Sequence, residues 1–147
     1  MTGMTSIVKR ITQLMAPSIF LLGAYVVLHG HLTPGGGFAG GVLMAGSFTL
    51  LVLAFGSEHV QSQVQFWNAT AVESAGLLVF WFLAVLGILE GTYFFLNVIA
   101  KANPGIPYHL FSAGIIPLCN MAIGMEVAAA LFAIFICLAV FRMGEKP

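Results

Sequence analysis

Residues 38–55 read Phe-Ala-Gly-Gly-Val-Leu-Met-Ala-Gly-Ser-Phe-Thr-Leu-Leu-Val-Leu-Ala-Phe, without one charged side chain. An uncharged apolar run of about 18 residues or more has the length to cross a bilayer core ~30 Å thick as a helix. Three further runs share its character: 11–28 before it, then 72–96 and 115–141. The expected fold is all-α and integral to the membrane. One transmembrane domain occupies 1–147, with four helices over about 11–28, 38–55, 72–96 and 115–141. Pro117 lies near the start of the last run, where it marks either the helix start or a kink.

Composition agrees. Of 147 residues, 60% are hydrophobic and 7% charged, and the mean hydropathy is +1.03. Soluble domains carry roughly 25% charged residues, and disordered chains combine low hydrophobicity with high charge. Five basic residues balance five acidic ones, so there is no electrostatic footprint for nucleic acid. Four spans fill these residues, which leaves no room among them for a catalytic domain, a nucleotide loop or a cluster site. No cofactor and no metal site are expected. Cys119 and Cys137 fall on one helical run, too far apart to pair, and read as small core residues.

Lys9 and Arg10 precede the first run as in a signal peptide, but the run is long and no small-residue cleavage site follows, so it reads as a retained helix. With four spans, Lys9, Arg10, Arg142 and Lys146 share one side and Lys101 takes the other. The positive-inside rule then puts both termini in the cytoplasm of a cell-membrane protein. The Gly-rich segment 29–37 and the segment 97–114 face outside. The latter is long enough for a short interfacial or re-entrant stretch around 108–113.

All five acids are glutamates. Glu145 belongs to the charged tail, and Glu58 and Glu73 read as solvated residues at the interface. Glu90 and Glu126 fall inside apolar runs at similar depth, ~9 Å and ~13 Å from the outer end at 1.5 Å per residue. An ionisable group there costs ~3 kcal/mol or more and is functional or paired. Either carboxylate could serve a proton or cation path, or be a buried structural group tied to Lys101 or to a neighbouring subunit. His29, His31 and His109 lie on the outer side as candidates for a pathway mouth. Hydrogen-bonded loop histidines are the plainer reading. His29-Gly30-His31 alone is a weak metal pattern.

The segment from His31 through Thr33, Pro34, Gly35, Gly36, Gly37, Phe38, Ala39, Gly40 and Gly41 is unusual. Its glycines permit positive φ. It could form an anion-binding nest, although it is no Walker loop; a close-packed helix entrance is the simpler reading. Gly37 with Gly41, Gly41 with Ala45, Gly124 with Ala128 and Ala129 with Ala133 have small-xxx-small spacing. That spacing serves packing inside one bundle or docking against other membrane subunits.

Thr33 to Gly41 resembles the hallmark segment of the MnhB-type (MrpB-type) subunits of multisubunit Mrp-type sodium/proton antiporters. Ser112-Ala113-Gly114-Ile115-Ile116-Pro117-Leu118-Cys119-Asn120, continuing to Gly124-Met125-Glu126-Val127, is similar to that family's last-helix segment. The resemblance implies a small hydrophobic subunit that accompanies large antiporter-like subunits, handling Na⁺ and H⁺. The same module is shared by archaeal membrane-bound hydrogenases and sulfane reductases, in which this subunit would neither evolve hydrogen nor carry a cluster. It also implies an ionisable position in the last helix, which Glu126 fills; Glu90 matches no family motif. The alternative is a purely structural membrane subunit. A stand-alone channel is disfavoured, since the chain has no internal inverted repeat.

Overall fold

The computed structural model describes residues 4–56, 66–91, 93–106, 108–109 and 112–144. Glu58 and Glu145, read above as an interfacial and a tail residue, lie outside them. The described residues form helices α1 (Ser6–Leu28), α2 (Gly36–Phe55), α3 (Phe66–Leu89), α4 (Val98–Ala102) and α5 (Ile116–Gly144). Four of these, all but α4, are long and apolar enough to cross a membrane. Their outward faces carry exposed Leu21, Leu22, Leu78, Trp81, Phe82 and Leu138, side chains that a bilayer or a neighbouring subunit must cover.

Side by side, the long helices make an open row in the order α1, α2, α5, α3. α2 packs on α1 and α5, and α5 packs on α3; α1 meets α5 only marginally, and α1 and α3 share no extensive contact. The gap between the two ends of the row is an apolar groove of about 310 Å³, lined by residues such as Phe20, Phe48, Val72 and Phe132. Aromatic contacts cross its floor, Phe20 to Phe48 at 5.6 Å and Phe48 to Phe132 at 5.5 Å.

The glycines of α2 set the spacing of this row. Gly40 faces α1, where a Cβ would lie 2.6 Å from the Gly23 carbonyl oxygen; Gly41 faces α5, where one would lie 2.8 Å from the Gly124 carbonyl oxygen. Gly37 meets the Asn120 backbone in the same way. The small-residue spacing is thus used for packing inside the chain. Gly35 and Gly36 take φ of 141° and 76°, backbone that side chains with a Cβ seldom adopt, and so turn the loop into α2.

The helix ends change or settle three points of the hydropathy reading. α1 starts at Ser6, because a helix continues through Lys9 and Arg10 as readily as through apolar residues. Lys9 places its ammonium 5.8 Å from the ring centroid of Phe55 at the end of α2. Pro117 occupies the first turn of α5, where no intrahelical N–H is lost, so it marks the start and not a kink.

The third difference is larger. α3 runs from Phe66 to Leu89, not 72–96. Glu90 and Gly91 close it: their amides donate to the carbonyls of Leu86 (3.2 Å) and Ile88 (2.9 Å), and Gly91 takes a φ of 71°, the left-handed stop common after helices. The chain then folds back. The Phe95 amide donates to the Ala84 carbonyl at 3.0 Å, and the Phe95 ring packs 5.3 Å from that of Phe80.

The returning segment leads into α4; the short stretch expected around 108–113 lies partly outside the described residues. Asn97 fastens it. Its side-chain oxygen accepts from the amides of Ala100 and Ile115, each at 3.1 Å, and its amide nitrogen donates to the Ala113 carbonyl at 2.8 Å.

Candidate ion path and the seam between α3 and α5

Two glutamates lie within membrane-spanning helices, and they are Glu73 and Glu126. Glu126 is ten residues into α5, ~15 Å from its start, and is half-buried. It faces α3 at Gly76: a Cβ on that glycine would be 3.0 Å from the Glu126 Cβ and 3.0 Å from the Ala122 carbonyl oxygen. A side chain at position 76 would crowd α5 at the base of the Glu126 side chain.

Glu73 precedes Gly76 by three residues, so it lies on the same face of α3, ~4.5 Å further along. It is half-buried and lines a groove of about 330 Å³ with Thr70, Ala130, Ala133, Ile134, Cys137 and Leu138. Glu126, Ala130, Ile134 and Leu138 follow one another at four-residue spacing, one stripe of α5. Both carboxylates therefore belong to one seam. No Lys, Arg or His occurs in α3, and α5 carries only Arg142, near its far end. No described residue forms a hydrogen bond or ion pair with the carboxylate of Glu73, Glu90 or Glu126.

The hydropathy pattern expects Glu90 six residues inside a helix and Glu73 at an interface. The structure corrects the first and puts Glu73 four residues into the apolar span Ala69–Leu89. Glu90 is exposed in the turn that ends α3, while Glu73 lies seven residues in from its start. Hydropathy misses Glu73 because Asn68 and Thr70 make the first turns of α3 look like a loop. A signal for the other end was present in Glu90-Gly91, a polar residue followed by a helix-stopping glycine.

The histidines part company. His29 Nδ1 donates to the Tyr25 carbonyl at 3.1 Å, and its ring stacks on Tyr25 at 4.2 Å, as a hydrogen-bonded loop histidine should. His31 departs from that expectation: both of its ring nitrogens are shielded from solvent and have no hydrogen-bond partner among the described residues. His109 and Lys101 are exposed. The Gly-rich loop meets the start of α5 where Asn120 lies close to Gly30, Gly36 and Gly37. Cys119 is buried with Leu83 and Ile115, but Cys137 is exposed on the Glu73 groove and is not the core residue expected.

These features define a multi-pass helical membrane protein with a carboxylate-bearing seam. Residues 7–133 match the family described as a domain related to the MnhB subunit of Na⁺/H⁺ antiporters, and the chain belongs to that family. It is 39% identical over 132 residues to the uncharacterized protein MJ1307 of Methanocaldococcus jannaschii, covering 86% of this chain and 49% of that one. It is 40% identical over 73 residues to the B-type subunit of a Na⁺/H⁺ antiporter of Bacillus subtilis, covering 50% of each. A putative antiporter subunit mnhB2 of Staphylococcus aureus is 39% identical over 54 residues, 37% of this chain and 38% of that one. The chain spans about half the length, or less, of these relatives.

Proposed function

We propose that this chain is a small membrane subunit of a sodium/proton antiporter assembly in the cell membrane, with both termini cytoplasmic, and that Glu126 lies on its cation path. Other membrane subunits are its partners, Na⁺ and H⁺ its ions, and lipid its surroundings. The observation that carries the reading is the half-buried Glu126 carboxylate in the last span, without a counter-charge among the described residues. A carboxylate so placed costs ~3 kcal/mol or more unless it takes a proton, a cation or a partner's polar group. His31 lies in the loop before α2, where its two ring nitrogens, without a partner among the described residues, would offer hydrogen-bonding groups to such a path. Glu90, Lys101, His29 and His109 belong to the exposed connecting segments and would form the mouth of such a path.

The test uses the assembled complex in membranes and an apolar carbodiimide, which reacts with protonated carboxyl groups inside the bilayer. The reading expects modification of Glu126, slowed by added Na⁺. A Glu126 that never reacts, or that reacts at a rate indifferent to Na⁺, contradicts it. Subunits co-purifying after mild extraction decide the parent assembly: nickel- or cluster-binding partners mean a hydrogenase-type complex, and their absence from the purified assembly means an antiporter.

A second reading, a subunit that packs and seals without an ion path of its own, draws on the apolar groove between α1 and α3 and on the glycine-to-backbone packing of α2. It expects Gly41→Leu to abolish assembly and Glu126→Gln to leave exchange unchanged.

A further inference from the structure

We propose that the groove around Glu73 is the docking site for a transmembrane helix of another subunit, one that presents a basic side chain at the depth of Glu73. The inference rests on the chain's being one of several membrane subunits and is independent of the role proposed for Glu126.

Glu73 is seven residues into α3 and lies within the apolar span Ala69–Leu89. Its groove is otherwise lined by Thr70 of α3 and by Ala130, Ala133, Ile134, Cys137 and Leu138 of α5, with no residue of α1 or α2 among them. Were this groove to face lipid, a carboxylate would be left against hydrocarbon, and acids inside spans almost always face a protein interior or a cavity. α3 has no Lys, Arg or His, and no described residue forms an ion pair with Glu73. The four long helices form an open row, so the outer face of the α3–α5 pair is not closed by any other described helix. Charge complementarity therefore selects a partner helix bearing Lys or Arg, and the small side chain of Ala130 lets that helix come close.

This surface differs from the apolar groove between α1 and α3. That groove has almost no polar lining and asks for nothing but apolar contact. The Glu73 groove alone combines a spanning acid, an open face and small residues opposite.

The test uses the whole complex in its own membrane. A photo-reactive benzoylphenylalanine is placed at Ile134, which lines the groove and is 56% exposed. Irradiation should join it to one membrane helix of another subunit, and that helix should carry Lys or Arg within one turn of the joined residue. Glu73→Lys should then lower the amount of this chain recovered with the complex at least fivefold. Exchanging the partner's basic residue for Glu should restore it. Adducts only with lipid, adducts with a second copy of this chain, or a partner helix without a basic residue would overturn the proposal. If Glu73→Lys fails to enter the membrane, Glu73→Gln decides: reduced recovery supports docking, and full recovery overturns it. Normal assembly with lost exchange in Glu73→Gln would make Glu73 a member of the cation path instead. Failure of Glu126 to react with carbodiimide, by contrast, would leave the docking result untouched.

Discussion

Helix α5 has a neighbour on each side, and the two contacts use different chemistry. Toward α2 it offers Gly124 and Val127, met by Gly41, and the Asn120 backbone, met by Gly37. No ionisable group takes part, and backbone lies nearly against backbone. Toward α3 it offers Ala122 and Glu126, met by Gly76, and one turn further on Ala130, met by Glu73. Glycine permits close approach at both seams, but only the second brings carboxylates with it. The first seam thus sets the shape of the row, and the second is where ions or charged partners would act.

The sharpest way to break this comparison is to fill the first seam. Gly41→Leu drives a branched side chain into the Gly124 carbonyl and Val127, and overpacking of a tight core costs about 1–3 kcal/mol, more where backbone must move. We expect the largest loss here, read as the amount of folded chain recovered from membranes and its melting temperature in detergent. Ala45→Leu, at a site only 3% exposed, should follow in the same direction.

Asn97→Ala should come next. It removes three hydrogen bonds and leaves the Ile115 amide without its side-chain partner, a loss of about 2 kcal/mol on the usual scale for such groups. Limited proteolysis should show faster cutting between α3 and α5, with the four spans intact. Glu90→Gln should have the smallest effect, since exposed substitutions of this kind stay within about 0.5 kcal/mol. Its melting temperature should match the wild type, whereas a drop of several degrees would show that Glu90 has a structural partner in the complex.

The four spans were legible in the sequence because each is a run of about the length a bilayer demands, and the Gly37–Gly41 spacing announced close packing correctly. The register of α3 was not legible. Tyr93, Phe94, Phe95 and Leu96 are as apolar as the helix before them, so hydropathy continues smoothly through a chain reversal at Glu90-Gly91. At the other end, Asn68 and Thr70 dilute the apolar signal although both are compatible with a helix. The two boundary shifts put Glu73 inside α3 and Glu90 in the turn that ends it. The neighbourhood of Glu126 was legible in part: its depth came from counting residues after Pro117, but its contact with Gly76 depends on which face α3 presents. Likewise, nothing in His29-Gly30-His31 distinguishes the ring that is hydrogen-bonded from the ring left without a partner.

The claim at the centre of this account is that the Glu126 carboxylate handles a cation. Its most direct test is sodium-driven proton movement in sealed membrane vesicles that contain the complex with Glu126→Gln. The account predicts exchange near background with the complex fully assembled; exchange at the wild-type rate in that same intact complex would contradict it.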